Sequence, residues 1–540
     1  MQVEWWSIIP FVVLLLCIAL LPLIPATTHA WERNGVKLLV ALACGLPVAA
    51  WFVLTGHGSE VSHALVEYVQ FIMLLLALFV VSGGIFLDGD IRPTPRNNTL
   101  FLAIGGAIAS VVGTTGAAML LIRPLLNTNR DRARRVHTVV FTIFIVANCG
   151  GLLTPLGDPP LFLGFLRGVP FEWTLRLWPQ WLFVNALLLA TYYALDTRAY
   201  ASDPVSADAA PTSAAPVRVR GAVNFVFFAA IIVAVAFVPS LDLHALETGH
   251  ATWTALVPWR ELVFGAAAAA SYALGSRDVR FRLNQFTWTP IVEVAALFIG
   301  IFLAMIPALN YLGQIAPHLP LTTVTFFVFS GGLSAFLDNA PTYATFYEMA
   351  AQLPGDPRIG AAPGVPEAYL IAISLGSVLC GAITYIGNGP NFMTKAVADA
   401  AGVPMPSFGG YMRWSILYLV PILAAMALVF LAEGPLWTWL GVLLTLGILV
   451  RAARQARRGL SPTPPKTEPE PAEGFPEEQD AAPCGAMAAR GAGEGRSPGG
   501  RPSVWDAPGR TNAGHPAMGR PALSETTCVR QRRPSPGRAR

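Results

Sequence analysis

The chain has 540 residues, 54% of them apolar and only 13% charged, with a net charge of +4 and a mean hydropathy of +0.54. Soluble domains carry about 25% charged residues, so a soluble enzyme is excluded, and the small net charge names no nucleic-acid partner. The six cysteines show neither metal-ligand spacing nor a disulfide-rich pattern.

Apolar runs of bilayer-crossing length lie at 5–27, 35–56, 66–87, 173–195, 220–239, 258–275, 287–309, 411–432 and 435–450. The first lacks a basic leader and is longer than a signal-peptide core, so it reads as a spanning helix. Trp residues near the run ends, such as Trp5, Trp31, Trp178 and Trp437, fit interfacial belts. The stretch 97–122 lies between two basic loops, 88–96 (Arg92, Arg96) and 123–135 (Arg123, Arg130, Arg132, Arg134, Arg135). Lys and Arg accumulate on the cytoplasmic side. A crossing there would put the two loops on opposite faces, so the segment predicts a re-entrant hairpin with its tip at Gly113–Thr114–Thr115–Gly116.

TPLGDPPLF follows at 154–162, where Pro159 and Pro160 forbid continuation of a helix and Asp158 places a carboxylate at membrane depth. Further on, 277–282 and 451–458 are Arg-rich, whereas 240–257 and 353–366 are not. The stretch 320–352 therefore predicts a second hairpin, entering from outside with its tip near Asp338–Asn339–Ala340–Pro341. TYIGNGPNF at 384–392 repeats the first break, with Thr, Gly, Pro and Phe in the same four places and Asn388 opposite Asp158. The last segment, 456–540, is rich in Pro, Gly, Ala, Arg and Glu and predicts a disordered cytoplasmic tail.

The two breaks are 230 residues apart. Glu67 matches Glu293, Gly105–Gly106 match Gly331–Gly332, and GTTG (113–116) falls opposite NAPT (339–342), each at an offset of 226. Counting gives eleven crossings plus two hairpins, with the N-terminus outside and the C-terminus inside. Five crossings separate the copies, an odd number, so the repeats (about 60–196 and 287–432) are inverted. The expected fold is an all-α polytopic membrane protein with two inverted repeats, each holding a re-entrant hairpin and a broken helix. This is the architecture of alternating-access secondary transporters.

The candidate site collects what the breaks and tips supply. Thr114, Thr115, Thr154, Thr384, Asn339, Asn388 and Asn391 offer hydroxyl and amide oxygens, hard ligands suited to sodium. Gly157 and Gly387 permit close backbone approach. Asp158 and Asp338 are the carboxylates that could alternate between a proton and a cation, with Asn339 and Asn388 beside them as sodium ligands. Each Asp could also cap the helix that follows it, and the two roles are compatible. Glu67 and Glu293 read as residues near helix starts, and Lys395 as an interfacial anchor or a counter-ion.

These motifs resemble the ion-transporter superfamily of NhaD-type sodium/proton antiporters, arsenite permeases, citrate transporters and divalent-anion:sodium symporters. The likeness covers about 1–455 and rests on GTTG, DNAP, TPLGDPP and TYIGNGPN. The stretch NCGGLLTPLGDPPLFLGFLRGVPFEW (148–173) is similar to a subgroup labelled sodium:proton antiporter or citrate transporter. The resemblance implies an inner-membrane protein, often dimeric, with scaffold and transport parts. The dicarboxylate branch carries Ser-Asn-Thr at both tips, where this chain has Gly-Thr-Thr (113–115) and Asp-Asn-Ala (338–340). Two carboxylates would repel an uncompensated anion. The expectation is therefore sodium/proton antiport with no resident cofactor, the alternative being sodium- or proton-coupled transport of citrate or arsenite. No HExxH, GxSxG or P-loop motif points to an enzyme.

Overall fold

The computed structural model describes residues 3–22, 24–31, 33–88, 92–203, 218–241, 243, 256–361 and 364–460. Helices dominate it. Among the described residues the strands form two short antiparallel ribbons, Phe86–Asp88 with Arg218–Arg220 and Arg358–Ile359 with Val365–Pro366. Six helices are long and apolar enough to cross a membrane: Asn34–Leu54, Gly58–Ser82, Val136–Leu153, Thr289–His318, Phe408–Phe430 and Pro435–Arg458. Side chains such as Leu39, Leu54, Val226 and Phe237 turn outward from the helices. Water would penalise that exposure, and lipid does not. The chain is an all-α polytopic membrane protein.

Several boundaries differ from the sequence reading for local reasons. The run 5–27 is not one helix: Ile9–Leu20 ends before Pro22, and Pro25–Trp31 is a separate short helix. Gly58–Ser82 starts a full two turns before the expected 66, so Glu67 lies in its interior rather than near its start. The last helix, Pro435–Leu460, runs on through RAARQARR, a run of good helix formers unbroken by Gly or Pro. Residues 456–460 are thus helical, and the rest of the expected tail, 461–540, lies outside the described residues.

Both hairpins are present. The first has arms Pro95–Val112 and Thr114–Thr128. Thr94 caps the first arm by accepting a hydrogen bond from Asn97 N at 3.3 Å. A single residue joins the arms: Gly113 at φ 84°, ψ 147°, a conformation that a side chain would strain. The second hairpin pairs Thr323–Ser334, opened by a Thr322/Thr325 capping box, with Asn339–Ala351.

The two broken helices repeat each other in detail. Val136–Ile145 leads into a 3-10 turn at Cys149–Leu153, a break at 154–158, and a new helix at Pro159–Leu166. Glu367–Cys380 leads into a 3-10 turn at Gly381–Ile383, a break at 384–388, and a new helix at Gly389–Ala400. The backbone agrees residue by residue: Thr154 (φ −141°, ψ 158°) with Thr384 (−123°, 160°), and Asp158 (−144°, 143°) with Asn388 (−153°, 138°). A Pro in the first turn of each new helix prevents the preceding segment from running straight through.

Hydrogen bonds correct the alignment of the hairpins by one residue. The Thr154 hydroxyl donates to the Ser110 carbonyl, and the Thr384 hydroxyl donates to the Ala335 carbonyl. Gly150 packs on Gly106, and Cys380 on Gly331. Both comparisons require an offset of 225 rather than 226, which makes Thr114 the equivalent of Asn339 and Gly113 the equivalent of Asp338. Chance identity of the glycine pairs misplaced the register.

The long helices Gly58–Ser82 and Thr289–Ile315 lie against one another. Phe71 stacks on Phe298 with centroids 5.0 Å apart, and the Tyr68 hydroxyl donates to the Ala295 carbonyl at 2.9 Å. Together they wall one side of the cleft into which the breaks face.

Candidate functional site

The first residue of each second hairpin arm and the last residue of each break converge on one point. Asp158, only 1% exposed, is its centre. The Thr114 hydroxyl donates to Asp158 Oδ1 at 2.9 Å, and Asn339 Nδ2 donates to Oδ2 at 2.8 Å. Asn388 Nδ2 lies 3.4 Å from Oδ1. The four residues come from four separate segments, so the point exists only when both repeats are assembled. The backbone ties the first pair as well, since Thr114 N donates to the Gly157 carbonyl at 2.8 Å. A Cβ on Gly157 would collide with the Gly151 carbonyl, and one on Gly387 would crowd the Gly381 carbonyl. Glycine at these two places is a packing requirement.

Two residues absent from the sequence reading complete the shell. Asn388 Nδ2 also donates to Asn148 Oδ1 at 3.1 Å, and Asn148 Nδ2 donates to Asn391 Oδ1 at 2.5 Å. Asn391 in turn donates to the Gly381 and Thr384 carbonyls at 2.9 and 3.1 Å. A chain of three amides therefore braces the carboxylate from behind. The Ser334 hydroxyl, 2.7 Å from Asn339 Oδ1, orients that amide. Asn148 was signalled by an amide inside an apolar run just before Cys149–Gly150–Gly151. Ser334 carried no such signal.

The remaining expected residues divide into two groups. Thr115 and Asp338 line the same cleft as Asp158. Asp338 also caps its helix, Oδ1 accepting from Ala340 N at 3.2 Å. Thr154 and Thr384 instead hold the breaks to the hairpins through their hydroxyls. Leu156 N donates to Thr154 Oγ1 at 3.2 Å and Gly387 N to Thr384 Oγ1 at 3.0 Å. Their role in the structure is to shape the breaks. Lys395 pairs with Asp399 at 2.7 Å, one turn along its own helix. Glu67 pairs with Arg167 at 3.5 Å and Glu293 with Lys37 at 2.6 Å, so both glutamates answer a cation rather than a helix dipole.

The cleft measures about 790 Å³ including its mouth, and its walls are mostly apolar, with Phe71, Leu74 and Leu78 from one long helix and Pro290, Val294 and Phe298 from the other. Among the described residues Asp158 and Asp338 are the only charged ones that line it. A buried carboxylate with no cationic side chain beside it is costly unless hydrogen-bonded or matched by a mobile positive charge. Such a cleft can hold a small cation or a proton at Asp158. Among the described residues no group of three or more His, Cys, Asp and Glu side chains forms a metal site.

Residues 1–431 match the model of the family described as "Putative citrate transport". The chain belongs to that family. Its members' description and the apolar helices together make it a multi-pass secondary transporter. The two broken helices and two hairpins, which meet at Asp158, fall within the matched span. A comparison with curated proteins finds no match.

Proposed function

We propose that this citrate-transport family member couples transport to sodium and protons through Asp158, which carries one or the other in alternation across the inner membrane. The observation that carries the reading is the convergence of Thr114, Asn339 and Asn388 on a single buried carboxylate. All three side chains own an oxygen. Rotating either amide by half a turn presents that oxygen in place of the nitrogen. For Asn339 the turn loses no partner, because the Ser334 hydroxyl can accept as readily as donate. The same shell can thus stabilise a bare carboxylate by donation or complete a sodium site by acceptance. Asp338, at the cleft wall, adds negative potential for an incoming cation. Sodium/proton antiport is the simplest cycle built on this exchange.

The family match favours a second reading, in which the same exchange drives an organic anion such as citrate. Reconstituting the full chain in vesicles with an internal pH dye separates the two. In the antiport case sodium alone dissipates an imposed pH gradient. Dissipation that requires citrate together with the cation would establish coupled anion transport instead. If neither addition moves protons, coupling through Asp158 is wrong.

A further inference from the structure

A second cleft adjoins the first and shares Phe79, Pro290 and Met393 with it. It lies between the hairpin arm Thr114–Thr128, the loop 284–287 and the helix Gly389–Ala400. Among the described residues its one charged lining residue is Arg123, expected from the sequence in a loop but standing within the hairpin arm. Among the described residues no carboxylate forms an ion pair with Arg123. Further along the chain Arg130 pairs with Asp131 and Arg132 with Asp196 at 2.7 Å, while Arg134 and Arg135 donate to the Ser202 hydroxyl and to backbone carbonyls. Arg282, from the segment before the 284–287 loop, pairs with Asp278 at 2.5 Å.

The loop opposite Arg123 is built rather than slack. Asn284 Nδ2 donates to the Gly83 and Ile85 carbonyls at 2.9 and 2.7 Å. Gln285 is the only non-glycine residue with positive φ (47°) among the described residues. A bulky polar residue held in that region marks a place where local strain is tolerated for position. Ser82 and Thr287 add hydroxyls to the same wall.

The two adjoining clefts are therefore oppositely charged: carboxylates line the first, and a guanidinium lines the second. A device for cations alone gains nothing from a positive chamber beside its cation site. We propose that the second cleft is an anion station in which Arg123 engages a carboxylate group of the transported organic anion, while Asp158 holds the coupling cation. The guanidinium fork suits a carboxylate, and Gln285 and Thr287 across from it supply donors for a hydroxyl or a second carboxylate. The proposal rests on the coupled-anion reading of function.

The test is uptake of radiolabelled citrate into vesicles containing the full chain, for the wild type, Arg123→Gln and Arg123→Lys. The expected result is a KM for citrate raised about tenfold or more in Arg123→Gln with Vmax within about twofold, the lower end of what a charge-assisted contact is worth. Arg123→Lys should recover part of the affinity, because it keeps the charge and loses the fork. An unchanged KM in Arg123→Gln overturns the anion station while leaving the coupled-anion reading intact. Should that variant fail to fold, Arg123→Lys decides alone, a KM raised about threefold supporting the proposal and an unchanged one overturning it. A wild type that neither binds nor takes up citrate sinks the coupled-anion reading itself, and this station with it.

Discussion

Replacing Asp158 with Asn removes the central charge while keeping the shape of the side chain. Three contacts set the structural consequence. An Asn carbonyl turned towards Asn339 keeps the 2.8 Å hydrogen bond, and its amide nitrogen can donate to the Thr114 hydroxyl, which reverses its role. Only Asn388, at 3.4 Å, then meets a donor instead of an acceptor, a loss of about 1 kcal/mol. Relief of a buried charge acts in the opposite direction, so the thermal midpoint should stay close to that of the wild type. Ion binding should not. Coulomb's law gives about 4 kcal/mol for unit charges about 4 Å apart at an effective dielectric of about 20. If water and relaxed neighbours restore half of it, about 2 kcal/mol remains, roughly 30-fold in affinity. The assay is sodium-dependent proton movement in vesicles, with the sodium-induced rise in thermal midpoint in detergent as a binding readout. In Asp158→Asn the proton movement should vanish, because an amide carries no proton in exchange, and the thermal shift should need roughly 30-fold more sodium. In Asp338→Asn they should be weakened but present, because Asp338 lines the cleft without belonging to the convergent shell. A half-saturating sodium concentration within about threefold of wild type in Asp158→Asn would refute the assignment.

Because one carboxylate holds either ion, protons should compete with sodium. Half-saturating sodium should rise towards tenfold per unit of acidification at low pH and level off at high pH; a pH-independent value would separate the two sites. Thr384→Val strands the buried Ala335 carbonyl and the Gly387 N–H, and should cost about 2–4 kcal/mol, seen as a marked fall in thermal midpoint. Thr115→Val, at the cleft wall, should leave the midpoint nearly unchanged. Glu67→Gln removes a partly exposed pair that joins the long helix Gly58–Ser82 to Arg167 at the end of a broken helix. Its stability effect should be about 1 kcal/mol or less, and if these two segments part during the transport cycle the transport rate should shift by about fivefold, whereas an unchanged rate would show that they do not.

Much of this was legible because membranes restrict what a backbone can do. Gly, Pro and a carboxylate inside an apolar run have few innocent explanations, so the breaks at 154–158 and 384–388 and the tip at Gly113 stood out without coordinates. Roles within the breaks were less legible. Thr154 and Thr384 looked like ligands because a hydroxyl can serve an ion or a carbonyl equally well, and composition does not say which lies nearer. Glu67 and Glu293 looked like helix-start residues because their partners, Arg167 and Lys37, come from distant parts of the chain. Ser334 was invisible for a simpler reason. A serine in a hairpin arm is ordinary until Asn339 Oδ1 is found 2.7 Å away.

The one-residue shift in register explains why the site is asymmetric in charge but symmetric in shape. With Thr114 equivalent to Asn339 and Asp158 to Asn388, each repeat supplies one hairpin residue and one break residue to the same point. Had both breaks ended in Asp, two carboxylates would face each other across the 3.4 Å that now separates Asp158 Oδ1 from Asn388 Nδ2. Like charges at that separation cannot both remain ionised without a bound counter-charge. An amide in the second copy turns this repulsion into a hydrogen bond and hands the load back to Asn148 and Asn391. The duplicated backbone thus builds a symmetric cradle. Side-chain divergence at a single pair of equivalent positions confines the charge at its centre to one carboxylate, which can then be neutralised by one cation or one proton.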